Sequence, residues 1–243
     1  MDGGFTKRIS VYDGMPYGGF NDLELLVVEK ALRLVWAEAG KRTHCHNIDF
    51  RKANEDQISS ALCLVFDNIW AYDRTLLSDL ATLFQAVPEF NSQHGAVDYL
   101  GRALKFRPDF TFRRIYTPPG MSVLNGCLFI EAKVIDPGRT MGTYCGDGLL
   151  RFVDGTYAWA VPQAMMFGYV HQTNQQLPNS LADHLQRRGK RETYKFMGGP
   201  TAFSPSRFSN RSYTTLHDRD WTYPGTTRPA GPIKVLHLWL QVT

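Results

Sequence analysis

The sequence predicts an α/β fold, and three observations predict it. Three stretches repeat their apolar residues at helical spacing, two later runs carry strand patterning on either side of a Pro-Pro-Gly turn, and a last apolar run closes the chain. At 243 residues and 43% hydrophobic content the chain can bury a sizeable core. It reads as a single domain over 1–243, without internal repeats or a linker at which to divide it.

The first helix is expected from Asn21 to Ala39, where Leu23, Leu26, Val27, Ala31, Leu34 and Val35 share helical spacing. Asn21 can cap its start with Glu24 at the third position, and Gly40 can end it. A second helix is expected from about Asn54 to Ala71, with Ile58, Ala61, Leu62, Val65, Phe66 and Ile69 as its buried stripe and Asn54/Gln57 as a capping pair. A third covers roughly Leu76 to Gln85 and stops before Pro88.

Lys105 to Arg114 alternates as a strand, Pro118-Pro119-Gly120 turns the chain back antiparallel, and Leu124 to Val134 is a second strand. That run is nearly continuous in apolar residues, which predicts a central strand buried on both faces. Asp136-Pro137-Gly138 ends it. A helical turn follows at Gly148 to Phe152, then a helical segment from Tyr157 to Phe167 kinked at Pro162, a strand start at Tyr169-Val170, and a short helix from Ser180 to Arg188. Gly189 to Pro232 reads as loop, and Ile233 to Val242 as the last strand.

A net charge of +4 permits a polyanionic partner but is more simply an ordinary solvated surface. Cys45, Cys63, Cys127 and Cys145 form no CxxC pair, and Cys63 and Cys127 stand in apolar runs, a reducing-compartment pattern. His44-Cys45-His46 invites zinc, but no second ligand pair stands at finger spacing. The N-terminus lacks an apolar signal core, and no uncharged apolar run reaches the roughly 18 residues of a spanning helix. The expectation is a cytoplasmic protein with no membrane partner.

Two short stretches carry the chemistry: Arg107-Pro108-Asp109-Phe110-Thr111-Phe112 and Cys127-Leu128-Phe129-Ile130-Glu131-Ala132-Lys133-Val134. Each sets charged residues into an apolar strand, where an unpartnered charge is costly. Strand alternation puts Glu131 and Lys133 on one side and Ala132 on the other. Carboxylates from Asp109 and Glu131 can hold Mg²⁺, or Mn²⁺ in its place, with the Ala132 backbone carbonyl as a further hard-oxygen ligand. Lys133 would orient or help deprotonate an attacking water and stabilise charge at phosphorus.

Pro108-Asp109 followed by Glu131-Ala132-Lys133 resembles the PD-(D/E)XK superfamily of restriction and repair nucleases, over about residues 54–170. The resemblance implies a restriction-endonuclease-like mixed β-sheet flanked by helices, here with an extra N-terminal helix and a loop-rich C-terminal segment. It implies a metal-dependent endonuclease acting on nucleic acid, double-stranded DNA first, in restriction or phage defence, and by analogy a homodimer. Members often place an extra acidic residue on the helix before the motif. Glu55 fits that role and Asp56 is the runner-up, although a first-turn carboxylate also suits the helix dipole. For the polar residue on a following helix, Gln163 and Tyr157 are the candidates, at a spacing that does not match the RecB-like branch. The competing reading is a non-catalytic nucleic-acid-binding or assembly subunit that keeps the fold.

Weaker signals remain. Arg187, Arg188, Lys190, Arg191, Arg207, Arg211, Arg219 and Arg228 are interleaved with aromatic residues from Tyr194 to Tyr223, as in a loop that grips DNA, or equally a structured loop with a satellite core. His217 and His237 can each be read as a general base, although a histidine in the apolar run Val235-Leu236-His237-Leu238-Trp239 is more simply a core histidine with one hydrogen bond. Met165-Met166-Phe167 reads as core, and Gly146-Asp147-Gly148 lacks nucleotide-fold spacing.

Overall fold

Six strands form one mixed sheet, in the order β1-β2-β3-β6-β5-β4, with helices against it. The computed structural model describes residues 12–41, 48–84, 97–104, 107–117, 119–122, 125–171, 176–208 and 212–242. The strands are β1 Phe110–Phe112, β2 Leu128–Ile135, β3 Gln163–Val170, β4 Phe196–Ala202, β5 Tyr213–His217 and β6 Ile233–Gln241. β2, β3 and β6 run parallel, whereas β1 pairs antiparallel with β2, and β5 antiparallel with both β6 and β4. The helices are α1 Asp22–Lys41, α2 Glu55–Tyr72, α3 Ser78–Leu83, α4 Met141–Tyr144, α5 Leu150–Val153, α6 Leu177–Gln186 and α7 Lys190–Thr193. A π-turn, Cys145–Leu149, joins α4 and α5 into one helical crossover from β2 to β3.

The first two helices start as their sequences predict. Asn21 and Glu24 exchange side chain-to-backbone bonds, and Asn54 and Gln57 do the same in a complete capping box. α1 and α2 cover one face of the sheet. Trp36 stacks on Tyr169 at 5.6 Å, Ser59 hydrogen-bonds the Tyr169 hydroxyl at 2.8 Å, and Phe66 meets Phe112 edge-on. Met166 and Trp239 point to the opposite face, against the crossover helix: Tyr144 packs on Trp239, and a Cβ at Gly148 would lie 2.5 Å from Met166 Cε. Met165, Met166 and Phe167 are therefore core, as expected.

Four expectations are corrected. Tyr157–Phe167 is not a helix: Gln163–Val170 is the parallel strand β3, and Pro162 marks its boundary rather than a kink. Its apolar run is continuous because both faces are buried, a pattern that periodicity cannot tell from a buried helix. The C-terminal segment is not loop alone, since α7, β4 and β5 lie within Gly189–Pro232. The motif strands are also shorter or shifted: β1 covers only Phe110–Phe112, and β2 ends at Ile135. Likewise the Ser180–Arg188 helix spans Leu177–Gln186, and its N-cap, Gln176, makes no side-chain capping bond. His44, Cys45, His46 and Arg211 lie outside the described residues. Cys63, Cys127 and Cys145 are buried, and among the described residues no helix is long and apolar enough to cross a membrane.

His217 and His237 form a buried relay rather than a base. The Tyr194 carbonyl must accept from His217 Nδ1 (2.7 Å), so His217 Nε2 accepts the Thr215 hydroxyl proton (2.8 Å). Thr215 Oγ1 then accepts from His237 Nε2 (2.8 Å), leaving His237 Nδ1 to accept from the Tyr144 hydroxyl (3.0 Å). His237 thus has two bonds, not the single one expected, and both rings are fully satisfied in their neutral form. Burial pushes His217 down to about 4, and burial with the neighbouring His217 pushes His237 down to about 3. A depressed histidine pKa stabilises the fold above its unfolded value near 6.5, and that contribution drains away as pH falls toward the folded value. In the folded protein both rings should accordingly stay neutral from pH 7.5 to 5.5, where a free histidine protonates, as NMR of the imidazole nitrogens would read. A ring that protonates within that interval would refute the neutral relay.

Candidate metal and phosphate centre

The register of β1 on β2 builds the site. Phe110 pairs with Ile130 at the end of the ladder, and the residues just before it are Asp109, in a bend, and Pro108. Proline has no N–H, so the ladder cannot take up the Ala132 carbonyl there. Asp109 Oδ2 instead accepts the Ala132 N–H at 2.7 Å, and the Ala132 carbonyl accepts from Lys133 Nζ at 2.7 Å. The Pro-Asp pair is thus what opens the edge of β2 beside Glu131 and Lys133.

The capped start of α2 brings Glu55 to the same place. Lys133 Nζ donates to Glu55 Oε1 at 2.6 Å and lies 2.8 Å from Glu131 Oε1. Glu55, Asp109 and Glu131 each offer a carboxylate oxygen, all within 4.8 Å of one another. Glu55, rather than Asp56, is the helix carboxylate of this cluster. All four residues predicted from the sequence converge, with the Ala132 carbonyl among them.

Arg151 on α5 was not foreseen. Its NH1 donates to Glu131 Oε1 at 2.5 Å and to the Tyr157 hydroxyl at 3.3 Å. The signal was present as a single cation inside the apolar run Leu149-Leu150-Arg151-Phe152-Val153. The π-turn before α5 packs closely on β3 because residue 148 is glycine, where a Cβ would lie 2.5 Å from Met166 Cε and in ordinary contact with Lys133. Neither expected helix residue fills that role. Gln163 opens β3 and accepts the Phe20 N–H at 2.8 Å, and Tyr157 lies on the connection after α5, beneath Arg151.

Burial is the largest influence on the acids. It pushes Glu131 up to about 8, helped by Asp109 and opposed by Lys133 and Arg151, and Asp109 up to about 6, opposed by Lys133 and the Ala132 N–H. Burial also works against the charge on Lys133, but Glu131, Glu55 and Asp109 outweigh it and hold its pKa above the ordinary value. Lys133 is therefore an ammonium that donates to these oxygens.

The donor set fits a hard divalent cation. Every ligand is oxygen, the separations suit one ion, and Glu131 Oε2 is buried without a hydrogen-bond partner. The Lys133 ammonium, held by three of these oxygens at 2.6–2.8 Å, already shows that they can converge on one positive charge.

Elsewhere, the basic-aromatic stretch divides in two. Arg187, Arg188, Lys190 and Arg191 are exposed around the α6–α7 turn. Tyr194, Phe196 and Phe203 are buried in the main core and Tyr223 in a smaller cluster, with Arg219 buried as well, whereas Arg207 and Arg228 are exposed. Comparison with protein-family models, curated proteins and solved structures finds no match to this chain.

Proposed function

We propose that this chain is a divalent-metal-dependent nuclease of the restriction-endonuclease-like type, hydrolysing phosphodiesters of DNA. One observation carries the reading: Asp109, Glu131, Glu55 and the Ala132 carbonyl converge beside an ammonium, with a buried carboxylate oxygen left unpartnered.

In the reaction, water adds to phosphorus, one P–O ester bond breaks, the water proton leaves to a base, and the departing oxygen gains a proton. Asp109, Glu131 and Glu55 would hold Mg²⁺ or Mn²⁺, which supplies charge neutralisation and an acidified water. Lys133, as an ammonium, orients the nucleophile and the phosphate by donation. The exposed cations of the α6–α7 turn suit contact with a polyanion. Cutting both strands of a duplex calls for two such centres, which a homodimer supplies.

The test is cleavage of supercoiled and linear duplex DNA. Products are expected with Mg²⁺ or Mn²⁺, and none once EDTA is added. No cleavage of DNA or RNA with either ion would instead support a non-catalytic nucleic-acid-binding subunit.

A further inference from the structure

Arg151 is the one cation in contact with this centre's carboxylates that the motif does not supply. It reaches Glu131 from the crossover helix, its guanidinium carbon lies 5.5 Å from the centre of the Tyr157 ring, and its side chain is 22% exposed. It is thus reachable from solvent at the one place where the carboxylates converge. The charges around it can be counted. Glu55, Asp109 and Glu131 give three negative, Lys133 and Arg151 two positive, so a divalent cation leaves the centre at +1. That balances a single phosphodiester anion. Without Arg151 the loaded centre is neutral and has no net attraction for its substrate.

We propose that Arg151 is the phosphate-contacting cation of the centre, binding the scissile phosphodiester and stabilising the charge that builds on its non-bridging oxygens. This rests on the nuclease reading above. A guanidinium presents a planar fork of donors that matches a phosphate, and on the face of Tyr157 it needs little reorganisation to turn from a carboxylate to a phosphate oxygen. A residue that merely held Glu131 for the metal would strengthen metal binding. A cation that serves the phosphate opposes a second cation, so its removal leaves metal affinity the same or better. The two roles therefore move metal binding in opposite directions.

The experiment measures Mn²⁺ binding by calorimetry at pH 8.5, and single-turnover cleavage of a labelled duplex at saturating Mn²⁺, for wild type, Arg151→Met and Arg151→Lys. Arg151→Met should bind Mn²⁺ at least as tightly as wild type yet cleave about 10²-fold more slowly, with part of the rate recovered in Arg151→Lys. Arg151→Lys keeps a cation at Glu131 and carries the same comparison should the methionine variant melt early. Cleavage by Arg151→Met within about threefold of wild type overturns the assignment, as does a rise of about tenfold or more in its Mn²⁺ dissociation constant. Wild-type protein that neither binds Mn²⁺ nor cuts removes the nuclease reading and this assignment together; a wild type that cuts isolates the fate of Arg151.

Discussion

Glu131→Gln should lower cleavage at saturating Mg²⁺ by about 10³-fold or more, at least about 4 kcal/mol of transition-state stabilisation, while the protein stays folded. The amide has the same shape, and its oxygen can still accept from Lys133 and Arg151 where Oε1 now does. Lys133 also keeps Glu55 and the Ala132 carbonyl. What the amide cannot supply is the second anionic oxygen: Oε2, buried and unpartnered, becomes an NH₂ that repels a cation. The loss should therefore appear as weakened Mn²⁺ binding and slow chemistry with an unchanged far-UV spectrum. Stability should change little, because the substitution removes a carboxylate whose burial already disfavours its charge. Activity within about tenfold of wild type would show that Glu131 is not a metal ligand.

The contrast between Glu131 and its surroundings shows what the sequence could reveal. Asp109, Glu131 and Lys133 were legible because strand alternation fixes their sides, and because charges in apolar strands need a partner. Glu55 was legible through the Asn54/Gln57 capping box, which sets where α2 begins. Arg151 was not, because nothing local says that a lone arginine in a helical run turns inward onto a strand. β3 was lost for a similar reason, since a strand buried on both faces has no alternation. β4 and β5 were hidden by composition. Gly198-Gly199-Pro200 breaks strand propensity, and a Cβ at Gly199 would lie 2.4 Å from the Thr214 carbonyl oxygen. That strand exists because β5 pairs with it, not because its residues favour it.

Arg219 makes the same point with a larger energy. In the sequence it belongs to a basic-aromatic stretch suited to phosphate, yet in the structure it is 2% exposed. Its Nε donates to the Gly231 carbonyl at 2.8 Å and its NH2 to the Ala230 carbonyl at 2.9 Å. Its NH1 is shared among the carbonyls of Ala158, Trp159 and Val161 at 3.2–3.4 Å. It therefore ties the chain before β6 to the chain before β3, where Ala158 holds a left-handed φ of 50° that a non-glycine residue adopts only under constraint. Burial pulls its pKa down to about 10, so it remains charged at neutral pH. Arg219→Met fills part of the volume but strands several buried carbonyls at about 1–3 kcal/mol each, less the desolvation recovered from the guanidinium. The net loss should be about 3–5 kcal/mol, a fall of about 10 °C in Tm for a chain of this length. Arg219→Lys should fall between, since one ammonium cannot span both segments. Cleavage would decline with it, because Tyr157, which underlies Arg151, precedes Ala158 directly. A melting temperature within about 2 °C of wild type would mean that the two segments hold each other without the clamp.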